Sequence, residues 1–165
     1  MSYEHAMIVM MQVGVEATAL LSALHHAVFA EHEPWSQAAF EQIFTMPGAE
    51  VWLACKVASQ SVNNELKEAL PIGFIVSRSV LDEGEILSLG VHPAWRRRGI
   101  GRYMLRHLLH KARQEGMTLF LEVRLSNKHA AALYEQEGFQ QIAVRPHYYQ
   151  DGEDARIFRY LTDSV

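Results

Sequence analysis

Residues 87–102 of this chain run Leu-Ser-Leu-Gly-Val-His-Pro-Ala-Trp-Arg-Arg-Arg-Gly-Ile-Gly-Arg. An apolar stretch stops at Pro93, and an arginine triplet with two closely spaced glycines then opens an amphipathic stretch. Gly99 and Gly101 let backbone N–H groups converge on an anion, and a helix start adds about half a positive charge. Arg96, Arg97, Arg98 and Arg102 bring charge and forked donors beside it, so a pyrophosphate would fit here. Gly-x-Gly alone is a weak signal and arginine triplets often only solvate a helix start; the combination is sharper. It lacks the Gly-Lys-Ser/Thr ending of a nucleotide-hydrolase loop and the three-glycine dinucleotide fingerprint.

Two further residues could move protons. Glu122 is a lone carboxylate in the apolar run Leu119-Phe120-Leu121-Glu122-Val123, on the face that also carries Phe120. A partly desolvated glutamate has a raised pKa and makes a better base near neutrality; the alternative is a surface glutamate paired with Arg124. Tyr134 stays protonated at pH 7 and can donate to a leaving group, or it is a core tyrosine with a backbone partner. Trp35, Tyr148 and Tyr149 lie in polar segments where aromatic side chains can grip a ligand or merely anchor a loop.

These groups need elements to hold them. Strands are expected over His5–Gln12, Ala49–Val57, Ile72–Val80, Glu85–His92, Met117–Arg124, Phe139–Val144 and Ala155–Leu161, with Asp82-Glu83-Gly84 as a turn. Helical spacing predicts Val15–Ala30, a short helix capped by Ser36 and ending near Pro47, Gly99–Glu115 stopped by Gly116, and one running from the cap Asn127 to Gly138. Ala58–Ala69 reads as a loop or a short added helix. Gly90 in mid-strand marks a bulge, a close backbone approach or a packing glycine. Strand–helix–strand units in the second half give an α/β class with a mixed sheet.

With 165 residues, 49% of them hydrophobic and 21% charged, the chain has the size and balance of one globular domain, residues 1–165. Cys55 is its single cysteine, so an intrachain disulfide and a cysteine-rich metal site are excluded. It reads as a small buried hydrophobe. Nine histidines invite a metal, with His107 and His110 three apart and His25 and His26 adjacent, but no Cys or carboxylate completes a zinc pattern, and no metal is expected. No apolar run approaches the roughly 20 residues of a membrane span, and a cytoplasmic protein is the expectation. The net charge of −4 argues against nucleic-acid binding in general, yet seven of the 15 Lys and Arg residues fall between Arg96 and Arg113. No Asp or Glu occurs from Ile86 to Gln114. A local positive field in an acidic protein suggests one anionic ligand at one place.

The segment Arg96-Arg97-Arg98-Gly99-Ile100-Gly101 resembles the acetyl-CoA motif of the GNAT N-acetyltransferases, Arg/Gln-x-x-Gly-x-Gly/Ala. The runs Leu121-Glu122-Val123-Arg124-Leu125-Ser126-Asn127, Ala132-Leu133-Tyr134-Glu135 and Gly138-Phe139 resemble the RimI-type branch, which acetylates the N-terminal α-amino groups of ribosomal proteins. Pro146-His147-Tyr148-Tyr149 and Pro34-Trp35-Ser36 also look RimI-like. The likeness is strong from Glu85 to Leu161 and faint before it. It implies the GNAT fold: a mixed sheet of about six to seven strands, splayed in the middle and flanked by about four helices, with acetyl-CoA wedged in the gap. It further implies that Leu89, Gly90 and Val91 line the pantetheine, that the Val91 N–H polarises the thioester carbonyl, and that backbone groups from Arg97 through Arg98, Gly99, Ile100 and Gly101 to Arg102 hold the pyrophosphate. Asn127 would contact the cofactor as well as cap a helix. Glu122 would be the general base, directly or through water, and Tyr134 the general acid. The implied acceptor is a protein N-terminus, that of a ribosomal protein in the first place, met by a monomer or weak dimer that binds no nucleic acid or membrane. Rival expectations are an enzyme acetylating a small amine or a lysine, a catalytically silent acyl-CoA sensor, and a nucleic-acid binder using Arg96–Arg98.

Overall fold

The chain folds as one seven-stranded sheet with two helices on each face, in a computed structural model that describes residues 7–57 and 69–162. The strands are β1 (Met7–Val13), β2 (Ala49–Val57), β3 (Leu70–Val80), β4 (Glu83–Val91), β5 (Thr118–Arg124), β6 (Gln140–Arg145) and β7 (Ala155–Tyr160). The helices are α1 (Thr18–Val28), α2 (Gln37–Thr45), α3 (Ile100–Glu115) and α4 (Lys128–Gln136). Spatial order is β1-β2-β3-β4-β5-β7-β6, antiparallel except where β4 runs parallel to β5. That is the expected GNAT architecture. Residues 58–68, expected as a loop or added helix, and the start of the expected first strand lie outside the described residues.

Alternation along β5 sorts its side chains cleanly. Leu119, Leu121 and Val123 are buried in a cluster with Met104, Leu105, Leu108 and Leu109 of α3 and Ala131 and Tyr134 of α4. The other face carries α1 and α2, with Leu21, Leu24, Phe40 and Ile43 packed on Val51, Leu53, Phe74 and Val76. α3 forms where the apolar stripe predicts it, and Met104 belongs to that stripe too. It begins at Gly99, with φ +76°, and ends at Gly116, with φ +64°, whose N–H closes on Ala112 and Arg113 carbonyls. Both positions need the left-handed region that glycine enters without strain.

Three sequence expectations are corrected. The first helix starts as a 3-10 turn over Val15–Ala17, and the α-helix stops at Val28. The β3–β4 turn is Leu81-Asp82, with Glu83 already paired to Val80; Gly84 lies in β4, where a Cβ would come within 2.7 Å of Leu119. Gly90 is not itself the bulge. The register slip lies three residues earlier, where Val76 and Ser77 face Ser88 and Ile86 and leave Leu87 over.

That slip sits where the sheet opens. β4 and β5 pair only from Glu83↔Thr118 to Ile86↔Leu121. Beyond this point β4 continues with β3 as far as Val91, and β5 continues with β7 as far as Arg124, without pairing to each other. The centre of the sheet is therefore split, with one wall at Leu87–Val91 and the other at Glu122–Arg124.

Candidate active site

The split brings together the two halves of the sequence-level site. On the β4 wall, Leu89 and Val91 pack against the α3 side, and Gly101, the second residue of α3, lies against their side chains. Gly90 faces the other way. A Cβ there would lie 2.6 Å from Val28 and 2.9 Å from Phe74, so the missing side chain is the room α1 occupies; the packing-glycine reading is the right one. At the mouth, His92 caps a 3-10 turn through Pro93–Trp95 by accepting from the Ala94 N–H at 3.1 Å.

The arginine triplet divides its labour. Arg96 is spent on structure, its guanidinium donating to the carbonyls of Val91 and Val28. Arg97, with φ +64°, and Arg98 are exposed beside the open start of α3, and Arg98 stacks over Trp95 at 4.7 Å. Lys56 adds a second cation over the same ring at 5.3 Å. Arg102 and Arg106 reach the other way to Glu137. Nothing lies within 4 Å of where a Gly99 Cβ would be, so the helix start is open to an incoming anion. These residues fit a diphosphate: amides at an open helix start, two exposed guanidiniums, and no carboxylate from Ile86 to Gln114.

On the opposite wall, the Glu122 side chain is only 18% exposed and pairs with Arg145 of β6 at 3.0 Å. It does not pair with Arg124, the partner the sequence suggested. The same carboxylate also acts on Tyr148 and, with partial burial, pushes that phenol up to about 12. Glu85, one strand over, is raised by desolvation and by the Glu122 charge, partly offset by Arg78 and Arg145. Glu85 and Arg145 escaped the sequence reading. One carboxylate among the acidic residues Asp82, Glu83 and Glu85, and an arginine on an exposed strand, carry no local signal.

Tyr134 on α4 is buried against Phe139 and Phe158, and burial lifts its phenol far above the ordinary range. It therefore remains an acid at every physiological pH. Among the described residues no group takes up its hydroxyl as a hydrogen-bond partner. Asn127 accepts from the Ala130 N–H at 3.2 Å and caps this helix as expected.

The three aromatic residues expected at the acceptor separate. Tyr148 reaches Glu122, and Tyr149 lies under Arg124 with the guanidinium 3.9 Å from its ring. Trp35 instead stacks on His25 at 4.9 Å, and its backbone N–H donates to His25 Nδ1 at 3.0 Å. His25 is buried, and desolvation lowers its pKa to about 4, with His26 assisting. It is therefore neutral, and with Nδ1 accepting, Nε2 carries the proton toward Ser88 Oγ at 3.2 Å. Trp35 is thus an anchor tied through His25 to the β4 wall. Among the described residues no cluster of three or more His, Cys, Asp or Glu could hold a metal, and no helix is long and apolar enough to cross a membrane.

Comparison with known proteins agrees with this geometry. The model of the acetyltransferase (GNAT) family matches residues 19–139. The Escherichia coli [ribosomal protein bS18]-alanine N-acetyltransferase is 34% identical over 155 residues, covering 92% of this chain and 97% of that protein. The N-alpha-acetyltransferase RimI of Mycobacterium tuberculosis is 34% identical over 145 residues, covering 82% and 81%. The crystal structure of the Escherichia coli ribosomal-protein-S18-alanine N-acetyltransferase superposes with a TM-score of 0.80 at 28% identity, covering 96% of each chain. An Arabidopsis thaliana NAA60 solved with acetyl-CoA has a TM-score of 0.79 at 18% identity, covering 96% of this chain and all of that one, a likeness of fold alone.

Proposed function

The chain belongs to the GNAT family of acetyl-CoA-dependent N-acetyltransferases, and we propose that its acceptor is the α-amino group of a protein N-terminus, with ribosomal protein bS18 the first candidate. The observation that carries this reading is Glu122: a largely buried carboxylate at the base of the split, backed by Arg145 at the end of β6 and by Tyr148 just beyond it. The names of the relatives supply the candidate acceptor. A ribosomal acceptor would put the work in the cytoplasm, done by a monomer or weak dimer.

Bound acetyl-CoA supplies an acetyl group activated as a thioester. In the mechanism we propose, the amides from Arg97 to Arg102 hold its diphosphate, Arg97 and Arg98 neutralise it, and Leu89, Gly90 and Val91 line the arm, with Asn127 at the start of α4 beside it. The Val91 N–H donates to the acetyl carbonyl oxygen. Glu122, directly or through one water, takes the proton that the acceptor nitrogen loses as it forms the new C–N bond. The Tyr134 hydroxyl gives its proton to the sulfur as the C–S bond breaks, and solvent restores it. Transfer is direct, with no acyl-enzyme.

An α-amine suits a carboxylate base. With a pKa near 7.8 about a quarter of it is already neutral at pH 7.4, against about 0.1% of a lysine side chain. The test is mass spectrometry after incubation with acetyl-CoA and peptides that offer an N-terminal amine, a lysine amine or both. Acetylation of the N-terminus is expected, and acetylation only of lysine, or of a small amine only, would refute the reading. Glu122→Gln and Tyr134→Phe should each lower turnover about 10²–10⁴-fold while acetyl-CoA still binds. Unchanged turnover in both would remove these residues from the mechanism.

A further inference from the structure

The residue that closes β5, two positions beyond Glu122 on the same face, is Arg124, and the chemistry above has no use for it. Its side chain is nonetheless mostly buried, and it holds three groups at once. One Nη donates to Asp151 at 2.8 Å and to Glu153 at 3.0 Å, while the guanidinium plane covers the Tyr149 ring at 3.9 Å. All three belong to the nine-residue connection between β6 and β7 that also carries Tyr148.

The contacts continue into the start of α4. Glu153 accepts from the Ser126 N–H at 2.8 Å with its other oxygen, and the bonds from Ser126 and Arg124 hold its carboxyl down at about 2. The Leu125 N–H donates to the Asp154 carbonyl at 3.0 Å, and Arg156 returns a bond to the Leu125 carbonyl at 3.1 Å. Within the connection, the Tyr149 N–H closes on the Glu153 carbonyl and the His147 N–H on the Asp154 carboxylate. Tyr148 and Tyr149 meet edge to face at 5.0 Å. The chain of contacts therefore runs from Arg124 through Tyr149 to Tyr148, the phenol that Glu122 pushes up.

We propose that Arg124 is a positioning residue: it clamps the connection 146–154 over the split so that the acceptor meets Glu122 in a preformed groove, and it ties that groove to the cap of the helix bearing Tyr134. The idea rests on the assignment of Glu122 as base. Arginine is suited to this, because one planar group can bond two carboxylates along its edge and stack on an aromatic ring with its face. Loosening the clamp makes the acceptor pay the cost of ordering nine residues on binding, a cost the acetyl donor does not share.

The experiment compares wild type with Arg124→Gln and Arg124→Lys in steady-state acetylation of an N-terminal peptide, with hydrogen exchange of the free proteins alongside. Arg124→Gln should raise the peptide KM about tenfold or more, the scale of one lost charge-assisted bond. The acetyl-CoA KM should stay within about twofold, because the Arg124 side chain bonds, among the described residues, only to the 146–154 connection and to nothing on the β4 wall or at the start of α3. Exchange over 146–154 should quicken while α3 keeps its protection. Arg124→Lys keeps the charge but not the planar stack, and should fall between. An unchanged peptide KM, both KM values rising together, or unaltered exchange in 146–154 would overturn the clamp. If Arg124→Gln does not fold, Arg124→Lys decides by the same readouts. A wild-type protein that acetylates no N-terminal peptide would refute the acceptor reading instead, and the exchange comparison would still decide the clamp.

Discussion

Replacing Gly90 by alanine probes the wall of the split from behind. The added methyl would lie 2.6 Å from Val28 Cγ1 and 2.9 and 3.1 Å from two carbons of the Phe74 ring. Phe74 is fully buried between β2 and β4 and has nowhere to go. Val28 ends α1, so relief must come from α1 backing away. Overpacking of this kind costs about 1–3 kcal/mol. For a chain of this size each kcal/mol moves the melting temperature by about 2–4 °C, so Gly90→Ala should lower it by about 2–12 °C. The same retreat would stretch the 3.2 Å contact of His25 with Ser88, which joins α1 to the β4 wall. Adding Val28→Ala removes one of the two clashing groups and should recover part of the loss, giving a coupling of about 0.5–3 kcal/mol between the two sites. Thermal denaturation of the two single variants and the double variant reads this directly. A Gly90→Ala melting temperature within about 1 °C of wild type would show that α1 does not fill the place of the missing side chain.

Other outcomes follow from the same geometry. A Cβ at Gly101 would lie 3.6 Å or more from Leu133, Val91 and Leu89. Gly101→Ala should therefore melt no lower than wild type, and up to about 1 kcal/mol more stable on helix propensity. Its acetyl-CoA KM should stay within about twofold, because the motif admits alanine here, whereas the bulkier Gly101→Val should raise it about tenfold, equivalent to about 1.4 kcal/mol; an unchanged KM in the valine variant would take Gly101 out of the donor site. Burial lowers His25 from 6.5 to about 4 in the folded chain, so between those values the unfolded chain binds the extra proton. Its contribution is complete above pH 6.5 and fades as pH falls toward 4, by an amount of order 3 kcal/mol. Urea midpoints measured from pH 7 to 4 should fall less steeply in His25→Gln, and parallel curves would refute the buried neutral ring. Desolvation pushes the Cys55 thiol up to about 11, so a thiol-reactive disulfide reagent at pH 8 should leave native protein unlabelled and modify it fully in denaturant. Rapid labelling of the native chain would contradict the burial.

The legible features are those whose cause lies within a turn or two of chain. The stripe of α3, its two glycine ends and the Asn127 cap each depend on neighbours within a few residues. So does the alternation that puts Glu122 opposite Leu121 and Val123. The turn at Leu81-Asp82 was misplaced because Asp-Glu-Gly is turn-like in composition, whereas the register that buries Ile86 and seats Leu119 on Gly84 decides where β4 starts. Gly90, open in the sequence between a bulge, a close approach and a packing role, is settled only by the Val28 and Phe74 side chains that α1 and β3 bring behind it. Arg96 read as one of the arginines adding charge beside the anion, and its guanidinium donates to two backbone carbonyls. Trp35, open in the sequence between gripping a ligand and anchoring a loop, is fastened to His25.

Sequence by itself determined which groups are present at the two ends of the reaction: the amide-rich helix start with its arginines, and a carboxylate set in an apolar strand. Tertiary structure alone decided what those groups face. β7 lies between β5 and β6, so Arg145 comes to Glu122 only through a strand order that chain order does not reveal. The clasp of Arg124 on Asp151 and Glu153 closes across nearly 30 residues for the same reason. Local signals arise because a helix or strand repeats every few residues. A charge has no such period, and its partner is whichever residue the packed sheet brings within hydrogen-bond reach.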